Sequence, residues 1–161
     1  MELGVKIGAD VPYCVMQGTA LAEGIGEKLT RLKQFPECYV LVAKPAFSVS
    51  TKQVFSKLVL TQDTKHPNID GILAGIRIYD LNGICENMGN VLEDVTIKDY
   101  PVIDQIKKRM IELGAMNSLM SGSGPTVFGL FDNNKTAKKA FTTLRNERLA
   151  RHVYLTEIFN V

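Results

Sequence analysis

Apolar side chains along this sequence switch between runs too short for a helix and stretches spaced at a helical period. Residues 13–17 and Cys38-Tyr-Val-Leu-Val-Ala43 are short apolar runs rich in strand-forming types, and they predict strands. Between them, Glu23-Gly-Ile-Gly-Glu27 alternates polar or small with apolar positions, which predicts an irregular strand with its glycines at bulges. From Ser50 the period turns helical. Val54, Phe55, Leu58 and Val59 form one stripe, with Ser50 or Thr51 as the N-cap. A second helix is predicted near Asp70–Tyr79, with Ile72, Leu73 and Ile76 on one face. A third begins at Pro101, carries Ile103, Ile106, Met110 and Ile111, and stops before Gly114.

Leu119-Met120 and Thr126–Phe131 then read as two strands around a turn rich in serine and glycine. Asn133 or Asn134 caps a last helix carrying Ala137, Ala140, Phe141 and Leu144, and Val153–Ile158 closes as a strand. At the other end, Met1–Ile7 reads as the last turn of a helix that Gly8 ends. From residue 38 the order is strand, helices, two strands, helix, strand. That order predicts an α+β fold of ferredoxin-like arrangement, an antiparallel sheet backed by helices on one face.

Composition narrows the function classes. A chain of 161 residues can bury one domain core, and 45% apolar with 22% charged residues is the balance of a globular protein. Nineteen basic and seventeen acidic side chains leave a net charge of +2 with the signs interspersed, so no basic stripe points to nucleic acid. Lys135, Lys138, Lys139, Arg145, Arg148 and Arg151 cluster on the last helical pattern, are interrupted by Glu147, and read as a solvated helix face. No apolar run approaches the roughly 18–20 residues that span a bilayer. The three cysteines, Cys14, Cys38 and Cys85, form no C-x-x-C pair, which argues against a disulfide framework or zinc site and for the reducing cytoplasm. His66 and His152 have no carboxylate or cysteine at ligand spacing, so no metal site is expected.

Four segments could carry chemistry. In Gly8-Ala-Asp10-Val-Pro12, the proline pushes Val11 towards an extended conformation and sets Asp10 at a change of chain direction. A carboxylate there can take a proton from a substrate hydroxyl or merely cap a turn. Ser121-Gly122-Ser123-Gly124-Pro-Thr126 has small residues whose backbone N–H groups can approach an anion, or it is a long hairpin turn. Thr51 and Phe55 place a hydroxyl at a helix start near an aromatic ring, as a nucleobase pocket or as a cap and a core residue. Asn90-Val-Leu-Glu93 taken alone is an ordinary helix segment.

Together these segments resemble one family. Ile7-Gly-Ala-Asp-Val-Pro12 with Glu23-Gly-Ile-Gly-Glu27, Asn90-x-Leu-Glu93, and Met120-Ser-Gly-Ser-Gly-Pro-Thr-Val-Phe128 are similar, in order and separation, to the diphosphocytidyl-methylerythritol kinases of the GHMP superfamily. The resemblance implies ATP- and Mg²⁺-dependent phosphorylation of the 2-hydroxyl of a cytidine diphosphate methylerythritol, in isoprenoid precursor synthesis. It places Asp10 on the catalytic aspartate, and Ser121, Gly122, Ser123 and Gly124 on the loop supporting the ATP phosphates. Thr51 and Phe55 fall near the cytidine pocket, where Lys52 departs from the family's Thr-Pro.

The family's upstream Gly-Leu-Gly-Gly-Gly-Ser loop and its lysine do not occur in this sequence. The resemblance therefore implies that residues 1–35 are a remnant of the N-terminal ATP-binding domain and 36–161 the C-terminal domain. Such a fragment is expected to be inactive alone and, with unpaired strand edges, to self-associate. Another GHMP branch of mevalonate or homoserine type, or a non-catalytic ferredoxin-like binding module, are the alternatives.

Overall fold

In the antiparallel sheet at the centre of the fold, strand alternation sends Leu41 and Ala43 to one face and Val40 to the other. The computed structural model describes residues 8 and 11–160. The sheet comprises β3 (Tyr39–Lys44), β4 (Asn117–Met120), β5 (Val127–Phe131) and β6 (His152–Glu157), in the spatial order β4-β5-β3-β6 with every pair antiparallel. It is preceded by a two-stranded hairpin, β1 (Ala20–Glu23) and β2 (Lys28–Arg31), which forms its own small sheet. The strand order and the helices inserted between strands make residues 39–157 ferredoxin-like, in agreement with the pattern of the sequence.

The main core lies between one face of the sheet and two long helices, α6 (Val102–Glu112) and α7 (Asn134–Glu147). Ile103, Ile106 and Met110 of α6 and Ala137, Ala140 and Leu144 of α7 are buried against Leu41, Ala43, Val127 and Phe131. Gly129 of β5 lets Met110 sit close, since a Cβ there would lie 3.0 Å from its sulfur. Asn133 caps α7 by accepting the Thr136 N–H, and Gly114, at φ 96°, ends the α6 turn as its position implied.

Between β3 and β4 run α2 (Thr51–Lys57), α3 (Ile69–Ile78), α4 (Leu81–Asn87) and α5 (Glu93–Asp99). The pattern foresaw α2, capped by Ser50, and α3, whose cap proves to be Asn68. The short α4 and α5 escape it, because a helix of two turns shows too few periodic positions. Helix α4 brings Cys85 and Leu81 onto the second face of the sheet, where they pack with Cys38, Leu130 and Phe128. Helices therefore cover more than the one face expected.

Three local expectations are overturned. Residues 13–17 are not a strand: α1 (Val11–Met16) is a helix, with Val11 inside it rather than extended. Pro12 suits a first turn, and Gln17 and Gly18, both at positive φ, stop the helix. Its β-branched Val15 is 72% exposed, so burial does not select a strand here. The glycines of Glu23–Glu27 mark no bulge; Gly24 (φ 70°) and Gly26 (φ 106°) turn the chain from β1 into β2. On α2 only Val54 is buried, while Phe55, Val59 just past the helix end, and Ile111 on α6 are exposed.

Candidate functional site

The turn between β4 and β5 is held from outside itself. Within it, Ser121 N–H donates to the Thr126 carbonyl at 2.8 Å and Gly124 N–H to the Ser121 carbonyl at 3.0 Å, so it is a hairpin turn. Gly122 (φ 55°) and Gly124 (φ 84°) occupy the left-handed region. Among the described residues, the N–H groups of Gly122 and Ser123 meet no acceptor. A Cβ on Gly122 would touch nothing within 4 Å, so the space above the turn is open. Free backbone donors beside open space are what an anion needs. The two readings of the sequence are compatible: the hairpin turn is also the cradle.

Four side chains from the preceding helices fix the cradle. Asn90, just before α5, donates through Nδ2 to the Met120 and Gly122 carbonyls, both at 2.8 Å, and its Oδ1 accepts the Leu92 N–H. Glu93 accepts the Met120 N–H through Oε1 at 2.7 Å, and its Oε2 forms an ion pair with Lys107 of α6. Thr96, fully buried on α5, donates to the Ser123 carbonyl at 3.3 Å. Thr51, at the start of α2, shares a 2.8 Å hydrogen bond with the Ser123 hydroxyl. With their carbonyls tied back, the loop peptides are held with Gly122 and Ser123 N–H free for a ligand. A cavity of about 330 Å³ lies against the turn, lined by Asn90, Ser121, Gly122, Ile72 and Phe128 among others.

The structure thus brings Thr51 together with Ser121, Gly122, Ser123 and Gly124. Phe55, one turn further along α2, is 58% exposed and not a core residue. Asp10 lies outside the described residues, as does the Met1–Ile7 segment. Asn90, Glu93, Thr96 and Lys107 are the residues that reading the pattern missed. Asn90 and Glu93 look like an ordinary helix segment because their partners lie about thirty positions downstream. The Asn90-x-Leu-Glu93 motif marked them as part of the family resemblance, without showing what they hold.

Among the described residues no group of three or more His, Cys, Asp and Glu side chains could hold a metal ion. Glu93, the carboxylate nearest the turn along its hydrogen bonds, is occupied by Met120 and Lys107. No helix is long and apolar enough to cross a membrane among the described residues.

An α+β domain whose serine–glycine hairpin is strapped down by an Asn-x-Leu-Glu segment defines a class, and comparison with known proteins gives it a family. The chain belongs to the GHMP kinases, whose C-terminal domain family ("GHMP kinases C terminal") matches residues 65–150. It is 58% identical over 159 residues to a 4-diphosphocytidyl-2-C-methyl-D-erythritol kinase of Lachnospira eligens, covering 99% of this chain and 55% of that one. A kinase of the same name from Lachnoclostridium phytofermentans is 54% identical over the same shares. A crystal structure of 4-(cytidine 5'-diphospho)-2C-methyl-D-erythritol kinase superposes with a TM-score of 0.79 at 28% identity, over 97% of this chain and 55% of the other. The chain spans about half the length of the curated relatives it matches.

Proposed function

We propose that this chain is the C-terminal portion of an ATP-dependent kinase that phosphorylates the 2-hydroxyl of 4-diphosphocytidyl-2-C-methyl-D-erythritol, a step in isoprenoid precursor synthesis, in the cytoplasm. The observation that carries the reading is the tethered turn at 121–124, with two free N–H groups, in a chain 58% identical to a kinase of that name over nearly all its length.

In this reading Gly122 and Ser123 support the ATP phosphates, with Ser121 and Gly124 shaping the turn around them. Phosphoryl transfer relies chiefly on positioning and on stabilising charge, and preorganised amides supply both. Asp10 is the residue that accepts or orients the proton of the acceptor hydroxyl. Thr51 positions Ser123, and the exposed ring of Phe55 is available to the cytidine. Mg²⁺ accompanies ATP, and the described residues offer no carboxylate cluster for it. Residues 1–35 are the remnant of an N-terminal ATP-binding domain that contributes the remaining contacts, and 36–161 are the C-terminal domain. The hairpin β1–β2, a separate two-stranded sheet, is the edge through which the isolated chain self-associates.

The test joins this chain to the part of the Lachnospira eligens kinase that it does not match. Release of ADP dependent on the cytidine diphosphate substrate, and not on mevalonate or homoserine, is the expected result. Turnover with mevalonate or homoserine instead would overturn the substrate assignment. The 161-residue chain alone should release no ADP, and turnover by that pure material would contradict its being a fragment.

A further inference from the structure

A second polar groove lies apart from the serine–glycine turn, where α7 ends and the edge strand β6 begins. It encloses about 830 Å³ and is lined by Phe141, Arg145, Arg148, Arg151, His152 and Tyr154 among others. That volume is the size of a small-molecule site. The arginines belong to the cluster that the sequence presents as a solvated helix face. The chain folds them otherwise: Arg148 takes a left-handed conformation (φ 56°) at the C-cap of α7, and the chain reverses so that Arg145, Arg148 and Arg151 border one space. Arg151 N–H is tied to the Lys44 carbonyl at 2.9 Å, which seats the reversal against the sheet.

Charge and shape in this groove agree. No carboxylate lines it, and among the described residues none of the three guanidinium groups forms an ion pair. The one acidic residue inside the cluster, Glu147, is taken by Arg109, with Arg Nη2 to Glu Oε1 at 2.6 Å. An aromatic ring adjoins one of the cations, Arg145 lying 5.9 Å from the Phe141 ring centre. Tyr154 and His152 stand on the sheet face away from α7, since Leu155 and Val153 share the core face with Leu41 and Ala43. Free guanidinium forks match phosphate oxygens.

From this we infer that the groove between the end of α7 and β6 is a binding site for a phosphorylated small molecule, its phosphate or diphosphate group held by Arg145, Arg148 and Arg151. It stands independently of the kinase reading, because it shares no residue with the 121–126 turn.

The test is titration of the isotope-labelled 161-residue chain with ADP, with inorganic diphosphate and with adenosine, followed by amide shifts in NMR and by calorimetry. ADP and diphosphate should both shift the amides of 148–155, and adenosine hardly at all. Arg145→Gln with Arg151→Gln, both exposed positions, should weaken ADP at these amides at least about tenfold, the loss expected for charged hydrogen bonds. Arg145→Lys with Arg151→Lys keeps the charge and should fall between. Shifts confined to 121–126 would place the nucleotide on the turn alone and overturn the inference. So would unchanged affinity in the glutamine variant. If the 148–155 shifts appear and the 121–126 shifts do not, this groove stands and the phosphate role of the turn fails.

Discussion

Glu93 Oε1 accepts the backbone N–H of Met120 at 2.7 Å, so a helix start is bonded to the last residue of a strand 27 positions further on. The same carboxylate reaches Lys107 with its other oxygen, and neither side chain is well solvated, at 14% and 17% exposure. Breaking a pair of this kind strands the remaining charge. Glu93→Gln should keep the acceptor for Met120 yet lower stability by about 1–3 kcal/mol, less than for a fully buried pair. Urea denaturation checks this. Adding Lys107→Met to the glutamine variant should recover part of the loss, since no unpaired charge remains.

Asn90 serves two carbonyls and one N–H at once. Asn90→Ala leaves all three without that partner and should cost about 2 kcal/mol at typical net values per hydrogen bond. Asn90→Asp should cost more, because a carboxylate cannot donate and would face the Met120 and Gly122 oxygens. Comparing the two variants' unfolding midpoints separates lost bonds from added repulsion.

Two glycines of the turn should respond differently to alanine. Both need positive φ, which costs a non-glycine residue about 1 kcal/mol or somewhat more. Gly122 has open space above it, so Gly122→Ala should lose little beyond that. At Gly124 a Cβ would lie 2.6 Å from the sulfur of Met120, a core side chain with no room to yield. Gly124→Ala should therefore be clearly the less stable of the two by thermal unfolding.

The cysteines should divide by accessibility. Cys14 is exposed, while Cys38 and Cys85 are buried. Burial pushes both buried thiols up to about 11, helped by their mutual proximity at Cys38 and by Asp80 and Glu86 at Cys85. A thiol reagent at neutral pH should label Cys14 quickly and the other two only on unfolding. Above the unfolded thiol value of about 8.5, the unfolded chain gives up protons that the folded one keeps. Stability should fall as pH rises from there towards 11, and Cys38→Ser with Cys85→Ser should flatten that slope.

The long periodic elements were legible from their residues: Ile103, Ile106 and Met110 announce α6, and Ala137, Ala140 and Leu144 announce α7. Cap residues fell where their side chains suggested, Ser50 and Asn133 among them. The short elements misled. Tyr13-Cys-Val15 has strand-forming types, yet Pro12 and the Gln17-Gly18 stop make it a helix, because six residues carry too little period to outweigh their ends. Phe55 on α2 and Val59 just beyond it lie at core spacing but remain outside, since spacing fixes a face and not what covers it.

By itself the sequence determined the family, the long helices with the strands beside them and the small-residue turn at 121–124, each of which shows in residues close along the chain. Only the tertiary structure decided that Asn90, Glu93, Thr96 and Thr51 converge on that turn, and that three arginines of one apparent helix face enclose a groove instead. The physical reason is range. A local pattern records which way a side chain points from its own element, whereas hydrogen bonds across 27 to 72 positions exist only once the sheet has brought those elements together.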